Sequence, residues 1–250
     1  MTATTQAAID ADVAGPVIAH RGASLVEPEN TLASLIRAKQ MGCDWVEIDA
    51  QVTRDGAVVL MHDHSVNRTT DGRGALAMMT LEQVQTLRTL DPSTGQPTEH
   101  RVPSLTEAIE TCLEQDLGLV LEFKATWGSD LEDAEAVAEI CNTAWPRDNG
   151  KLIVTSFSAI GIARFGEVCP WAKTGLACLP PPPNPGRLME RLGVNGFHVN
   201  GPYVTPENLE RVLASGAEVA VATINESAEA QRLLDMGAMG IISDRPDLLE

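Results

Sequence analysis

The sequence predicts a closed (β/α)8 TIM barrel of the α/β class, and three observations carry that reading. Eight short apolar, β-branched runs recur between Val17 and Ser243, helical stretches alternate with them, and polar or charged residues stand at the ends of many runs. A chain of 250 residues is the size such a barrel needs. A doubly wound open sheet is the competing architecture. Against it, the first loop, His20-Arg21-Gly22-Ala23-Ser24, lacks the glycine fingerprint of a dinucleotide site, and the polar residues follow many strands instead of one crevice.

In chain order, residues 1–14 are small and polar and are expected to form a flexible arm, with residues 15–250 as a single barrel domain. Val17-Ile18-Ala19 is the first strand, and Asn30 or Thr31 caps a helix over residues 32–41 that Gly42 stops. Residues 45–52 form the second strand. The turn Arg54-Asp55-Gly56 then sends an extended segment, residues 57–61, back towards the first strand's end. Residues 65–103 are turn-rich, with a short helix near 81–87 and a loop at 91–97, and read as an excursion from the barrel top. Ser104, with Glu107 three residues on, matches a capping box for a helix through Cys112. Strands follow at 118–123, 152–156, 174–179, 196–199, 218–222 and 240–243. The helices between them, near 130–144, 159–168, 186–192, 206–215 and 227–236, end in three cases at Gly193, Gly216 and Gly237. After Pro246 the eighth helix is expected to be short or absent.

Composition narrows the function classes. With 44% hydrophobic residues the chain can bury a large core, and a formal net charge of −17 argues against nucleic acid or an anionic bilayer as partner. Any phosphate must be met by local cations. Five cysteines, Cys43, Cys112, Cys141, Cys169 and Cys178, form no CxxC pair and are odd in number, which fits reduced thiols and a cytoplasmic location. The first residues carry neither the positive charge nor the apolar run of a signal peptide. No later run is long enough for insertion in a membrane.

The stretch Val46 to Asp63, VEIDAQVTRDGAVVLMHD, holds the chemistry. Glu47 and Asp49 stand two apart in a strand, so both side chains leave the same face. If Glu122, at the end of the third strand, joins them, three carboxylates share one mouth and need a cation. An all-carboxylate set suits Mg²⁺ or Ca²⁺ better than zinc; an internal ion-pair network with Arg21 and Lys124 is the equal alternative. His20 and His62 each close an apolar strand, and their pairing beside the acids suggests an acid and a base. Arg21 and Lys124 are placed either to hold a phosphate oxygen or to neutralise the carboxylates. His64, His100 and His198 lack such context and are expected at the surface or outside direct contact with the reaction.

The ordered motifs HRGASLVEPENT, EIDAQVTRDGAVVLMHD, RTTDG, EFK, TSF and GIISDRPD resemble those of the glycerophosphodiester phosphodiesterase family, bacterial cytoplasmic type, from about Val17 to Asp247. The resemblance implies a (β/α)8 barrel that hydrolyses a small glycerophosphodiester to glycerol 3-phosphate and an alcohol with a divalent cation, Mg²⁺ or Ca²⁺. It implies His20 and His62 as catalytic acid and base, Glu47, Asp49 and Glu122 as metal ligands, and Arg21 and Lys124 as phosphate-binding groups. Glu29 and Asn30 would hold loop and strand ends in place. Lysophospholipase D action on a lysophospholipid, or a silent phosphodiester-binding barrel, are the alternatives. One departure is Ala222-Thr223-Ile224-Asn225, where the family often has an aromatic residue in a WTVN-like segment. Trp127 is a candidate to replace that wall.

Overall fold

The computed structural model describes residues 17–247. The expected N-terminal arm, and the end of the chain where a short or absent eighth helix is expected, lie outside the described residues.

Strand β1 (Val17–His20), helix α1 (Leu32–Gln40) and strand β2 (Trp45–Val52) open the chain, and β3 (Val58–Leu60) folds back antiparallel on β2. The excursion carries α2 (Leu81–Gln85) and a two-stranded hairpin of β4 (Arg88–Leu90) and β5 (Pro97–Arg101). Helix α3 (Leu105–Glu114) leads back to β6 (Gly118–Phe123). Then α4 (Asp130–Ala144), β7 (Leu152–Ser156), α5 (Ala159–Val168), β8 (Lys173–Cys178) and α6 (Pro185–Leu192) alternate. The series ends with β9 (Gly196–Asn200), α7 (Pro206–Leu213), β10 (Glu218–Ala222), α8 (Ser227–Asp235) and β11 (Gly240–Ser243). β1 pairs in parallel with both β2 and β11, which closes β1, β2 and β6 to β11 into an eight-stranded parallel barrel.

The reason lies in the strand sequences. Both faces of each stave are covered, so apolar residues run on nearly without interruption. Outward residues such as Val46, Ile48, Leu119, Leu121, Val154, Val219 and Ile241 pack against the helices. Inward residues alternate with them: Ile18, Trp45, Val120, Ile153, Ala220 and Ile242 form a separate plug inside the ring. Each fully buried aliphatic side chain stabilises the fold by about 1.5–3 kcal/mol. Gly118 is needed beside this plug, because a β-carbon there would run into the Trp45 indole.

Capping fixes where helices begin. Thr31, Thr80, Ser104 and Thr205 each accept a hydrogen bond from the backbone three residues on, and each box is closed in return by Ser34, Gln83, Glu107 or Asn208. The excursion has its own small core of Val59, Met61, Val66, Leu76, Val84 and Val102. Its hairpin is absent from the sequence reading because β5 is short and mostly polar. The pairing of Arg88 with Arg101, and the Thr89 and Thr98 hydroxyls 3.1 Å apart, leave no apolar period to detect.

Candidate active site

Register places the site. His20 of β1 is opposite Glu47 of β2, and Asp49 of β2 is opposite Glu122 of β6. Glu47, Asp49 and Glu122 therefore converge, with ligand atoms all within 4.8 Å of one another. Lys124 Nζ lies 2.9 Å from Asp49 Oδ1 and also bonds Glu122. Arg21 Nε approaches Asp49 Oδ2 at 3.3 Å as an ion pair without hydrogen-bond alignment, while its Nη1 donates to Glu29 Oε1 at 2.9 Å. Asn30 is more than a residue beside a cap. Its Nδ2 donates to Asp49 Oδ2 at 2.9 Å and its Oδ1 accepts from the Asp49 backbone at 3.0 Å.

The loop after β1 is bent for this purpose. Arg21 takes φ +57°, a left-handed conformation that costs a non-glycine residue about 1 kcal/mol, and Gly22 follows at +77°. In that bend the Arg21 N–H donates to Glu47 Oε2 at 3.1 Å. Strain of this kind gathers where a side chain must be aimed.

Each sequence-predicted histidine is backed by a carboxylate. His20 Nδ1 is 2.6 Å from Asp244 Oδ1, and its Nε2 is 3.9 Å from Glu47 Oε2. Asp244 is steadied by Asn225, whose Nδ2 donates at 2.8 Å and whose Oδ1 accepts from the Asp244 backbone at 3.0 Å. His62 Nδ1 is 2.7 Å from Asp63 Oδ1. Asp63 is shared with Arg68, which donates to both its oxygens and to both oxygens of Glu29. Gln51, next on the face that carries Glu47 and Asp49, donates its amide to the carbonyls of Met61, His62 and Asp63 at 2.8, 3.1 and 2.7 Å. That amide fixes the strand end from which His62 projects.

The electrostatics follow from burial and from which carboxylate has a cation. Burial, then the charge of Asp49, pushes Glu47 up to about 8. Asp49 is held low against its burial by Lys124 and Arg21. Burial raises Glu122 in spite of Lys124. Burial lowers His20, but the Asp244 hydrogen bond and the Glu47 charge outweigh it and leave the imidazole above its ordinary value. Burial wins at His62, which falls below its ordinary value although Asp49 and Asp63 oppose the shift. Two cations, one of them shared with Glu29, thus serve three carboxylates, and the upward shifts of Glu47 and Glu122 mark the charge left unbalanced. A hard divalent cation with oxygen ligands fits the negative charge left over, and the three acids form a group able to hold one.

The structure brings together Glu47, Asp49, Glu122, Lys124, Arg21 and His20, and sets His62 within the field of Asp49. It corrects one expectation and narrows another. Trp127 forms no pocket wall, being 99% exposed. His198 is not a surface group; it is buried and lines the cavity that His20, Glu47 and Glu122 share. His64 and His100 are peripheral as expected, His64 bonded to Gln51 and His100 4.0 Å from Glu27. Asp244, Arg68 and Gln51 were missed as members of the site. All three stand in motifs already picked out, but the pairings of the first two cross 224 and 39 residues of chain and leave no local signal.

Together the barrel and its acid-lined mouth define the class: a (β/α)8 enzyme with its polar groups at the C-terminal ends of the strands. Residues 20–248 match the Glycerophosphoryl diester phosphodiesterase family, and the chain belongs to that family. It is 30% identical over 240 residues to a glycerophosphodiester phosphodiesterase of Caldanaerobacter subterraneus, covering 93% of this chain and 95% of the relative. A putative glycerophosphodiester phosphodiesterase, YhdW of Bacillus subtilis, is 32% identical over 240 residues, covering 93% and 96%. Among solved structures, an Oleispira antarctica phosphodiesterase in complex with the product sn-glycerol-3-phosphate superposes with a TM-score of 0.87 at 32% identity, covering 94% of each chain.

Proposed function

We propose that this chain hydrolyses small glycerophosphodiesters to glycerol 3-phosphate and a free alcohol such as choline or ethanolamine. The observation that carries this reading is the placement of two carboxylate-backed imidazoles about one buried cluster of three acids and two cations. Family membership and the product-bound Oleispira relative support the substrate class.

In this reading Glu47, Asp49 and Glu122 hold a divalent cation, Mg²⁺ or Ca²⁺, and Arg21 and Lys124 meet the phosphate oxygens. When bound, the cation polarises a non-bridging phosphate oxygen and draws off charge that grows at phosphorus. The histidines divide the proton work according to their partners. Asp244 is bonded to neutral Asn225 and leaves its charge to His20, which favours the imidazolium and suits the acid. Asp63 is neutralised by Arg68 and supports His62 less, which favours the free base. His62 takes a proton from the attacking hydroxyl as the new P–O bond forms. His20 gives its proton to the alcohol oxygen as the old P–O bond breaks, so that charge and protons balance.

Among the described residues no helix is long and apolar enough to cross a membrane. All five cysteines are free thiols, four of them buried, which supports the reading of a reducing, cytoplasmic setting. The test is a panel of glycerophosphodiesters and lysophospholipids assayed with and without a chelator and with each divalent ion. Turnover of glycerophosphocholine that the chelator abolishes and Mg²⁺ or Ca²⁺ restores is expected. Activity confined to lysophospholipids, or undiminished by the chelator, would overturn the reading.

A further inference from the structure

Facing the acids across the barrel is a half built from small residues. Ala177 of β8 and Ala220 of β10 stand in register with His198 of β9 on either side, and Ala222 and Ile242 close the cavity beyond them. His198 lines this cavity of about 60 Å³ together with His20, Glu47 and Glu122. It is 8% exposed, and among the described residues no hydrogen bond or ion pair engages its ring. Thr155 of β7 repeats the pattern, fully buried with an Oγ1 that has no partner. Gly175 lies between them: a β-carbon there would stand 3.3 Å from Thr155 Cγ2 and 3.6 Å from His198 Cδ2. His198 thus opens on the cavity with unspent hydrogen-bonding capacity, next to the reacting groups, while Thr155 is buried outside the cavity lining and turns its methyl group towards Gly175.

Buried polar groups are costly to leave unpaired, so an unpartnered imidazole on a cavity marks a place for an occupant. The chemistry of that occupant follows from charge. Burial, with no carboxylate to oppose it, pushes His198 down to about 4, so its ring is neutral and offers one donor and one acceptor. Phosphate is better met by Arg21 and Lys124 on the far side. An uncharged hydroxyl, which both donates and accepts, is the group that a neutral imidazole can satisfy.

We propose that His198 binds a hydroxyl of the substrate's glycerol moiety, which makes the small-residue half of the barrel the polyol subsite. The assignment rests on the phosphodiesterase reading and deepens it by naming the group that selects glycerol. A buried water that serves only the fold is the competing occupant.

Calorimetric titration of sn-glycerol 3-phosphate and of propyl phosphate, which has the same phosphate but no hydroxyls, separates the two. In saturating divalent cation the wild-type protein is expected to prefer glycerol 3-phosphate by roughly tenfold or more, the scale of a buried hydrogen bond. His198→Phe is expected to bring the two ligands to within roughly threefold of each other, and His198→Asn, which keeps a donor and an acceptor, to recover part of the preference. Should His198→Phe fail to fold, His198→Leu, a smaller apolar side chain, is read in its place with the same expected loss of preference. No preference in the wild type, or the same preference in the wild type and in these variants, overturns the subsite. Turnover of glycerophosphocholine by the wild type is measured alongside: its absence overturns the reaction, whereas the binding ratio judges the subsite.

Discussion

The two halves of the barrel mouth are built on opposite principles. Along β1, β2 and β6 every functional side chain is tied to another: Glu29 bridges Arg21 and Arg68, Asn30 clamps Asp49, and Asp63 and Asp244 orient the two imidazoles. Along β8, β9 and β10 the side chains are small, and the polar ones, His198 and the nearby Thr155, are untied. A preorganised half does chemistry because its dipoles need no rearrangement when charge develops. An open half with unspent hydrogen bonds receives a ligand. The difference teaches that losing a group from the first half should cost rate, while changing the second should cost binding.

The largest test of that division lies in the tied half. His20→Ala or His62→Ala is expected to lower kcat on glycerophosphocholine by roughly two to four orders of magnitude, with product affinity much less affected. Steady-state kinetics with parallel product titration checks it, and near-normal kcat in either variant removes that histidine from its role. Next, Glu122→Gln is expected to weaken Mg²⁺ or Ca²⁺ binding by at least roughly a hundredfold, since even supporting residues of metal ligands are worth ten- to a hundredfold. Calorimetric titration with each ion reads this directly; unchanged affinity would mean that the acids serve an internal ion-pair network instead.

These two halves were also unequally visible in the sequence. Glu47, Asp49, Glu122, His20 and His62 interrupt apolar strands, where a charged or titratable residue is conspicuous against its neighbours. The alternation that gives the barrel is equally local, which is why β2, β6, β7, β10 and β11 fall at the expected residues. The small-residue half is silent because glycine and alanine in a strand are unremarkable one at a time. What makes His198 unusual is the company of Gly175, Ala177 and Ala220 on other strands, and that only the closed ring supplies. Asp244 escaped for the same reason. It meets His20 only because β1 and β11, the first and last staves, are neighbours.

The untied half yields a smaller effect. Gly175→Ala places a methyl group 3.3 Å from Thr155 and 3.6 Å from His198, tighter than an ordinary contact at the first of them. Crowding beside the His198 ring is expected to weaken glycerol 3-phosphate binding by roughly tenfold, the worth of one misplaced methylene, while kcat changes less. A fall in kcat with intact product affinity would contradict the division between the halves.

The smallest effect concerns a place where the tied half reaches solvent. Arg68 is an exposed member of the network, its side chain 47% accessible, and its bonds hold Asp63 well below the usual carboxylate range. Burial, with the charges of Arg21 and Lys124, keeps His62 below its ordinary 6.5 although Asp49 and Asp63 oppose the shift, and Arg68 takes up part of the Asp63 charge. Arg68→Ala returns that charge to the imidazole and must raise the His62 pKa. Because His62 acts as the base, its proton has to leave before the reaction, so the acidic limb of the pH–rate profile should move to higher pH. Solvent screening at so exposed a side chain limits the move to less than about one unit. The alkaline limb belongs to His20, whose partner Asp244 is untouched, and should stay where it is. A limb that moves to lower pH, or movement of the alkaline limb instead, would reverse the assignment of acid and base between the two histidines.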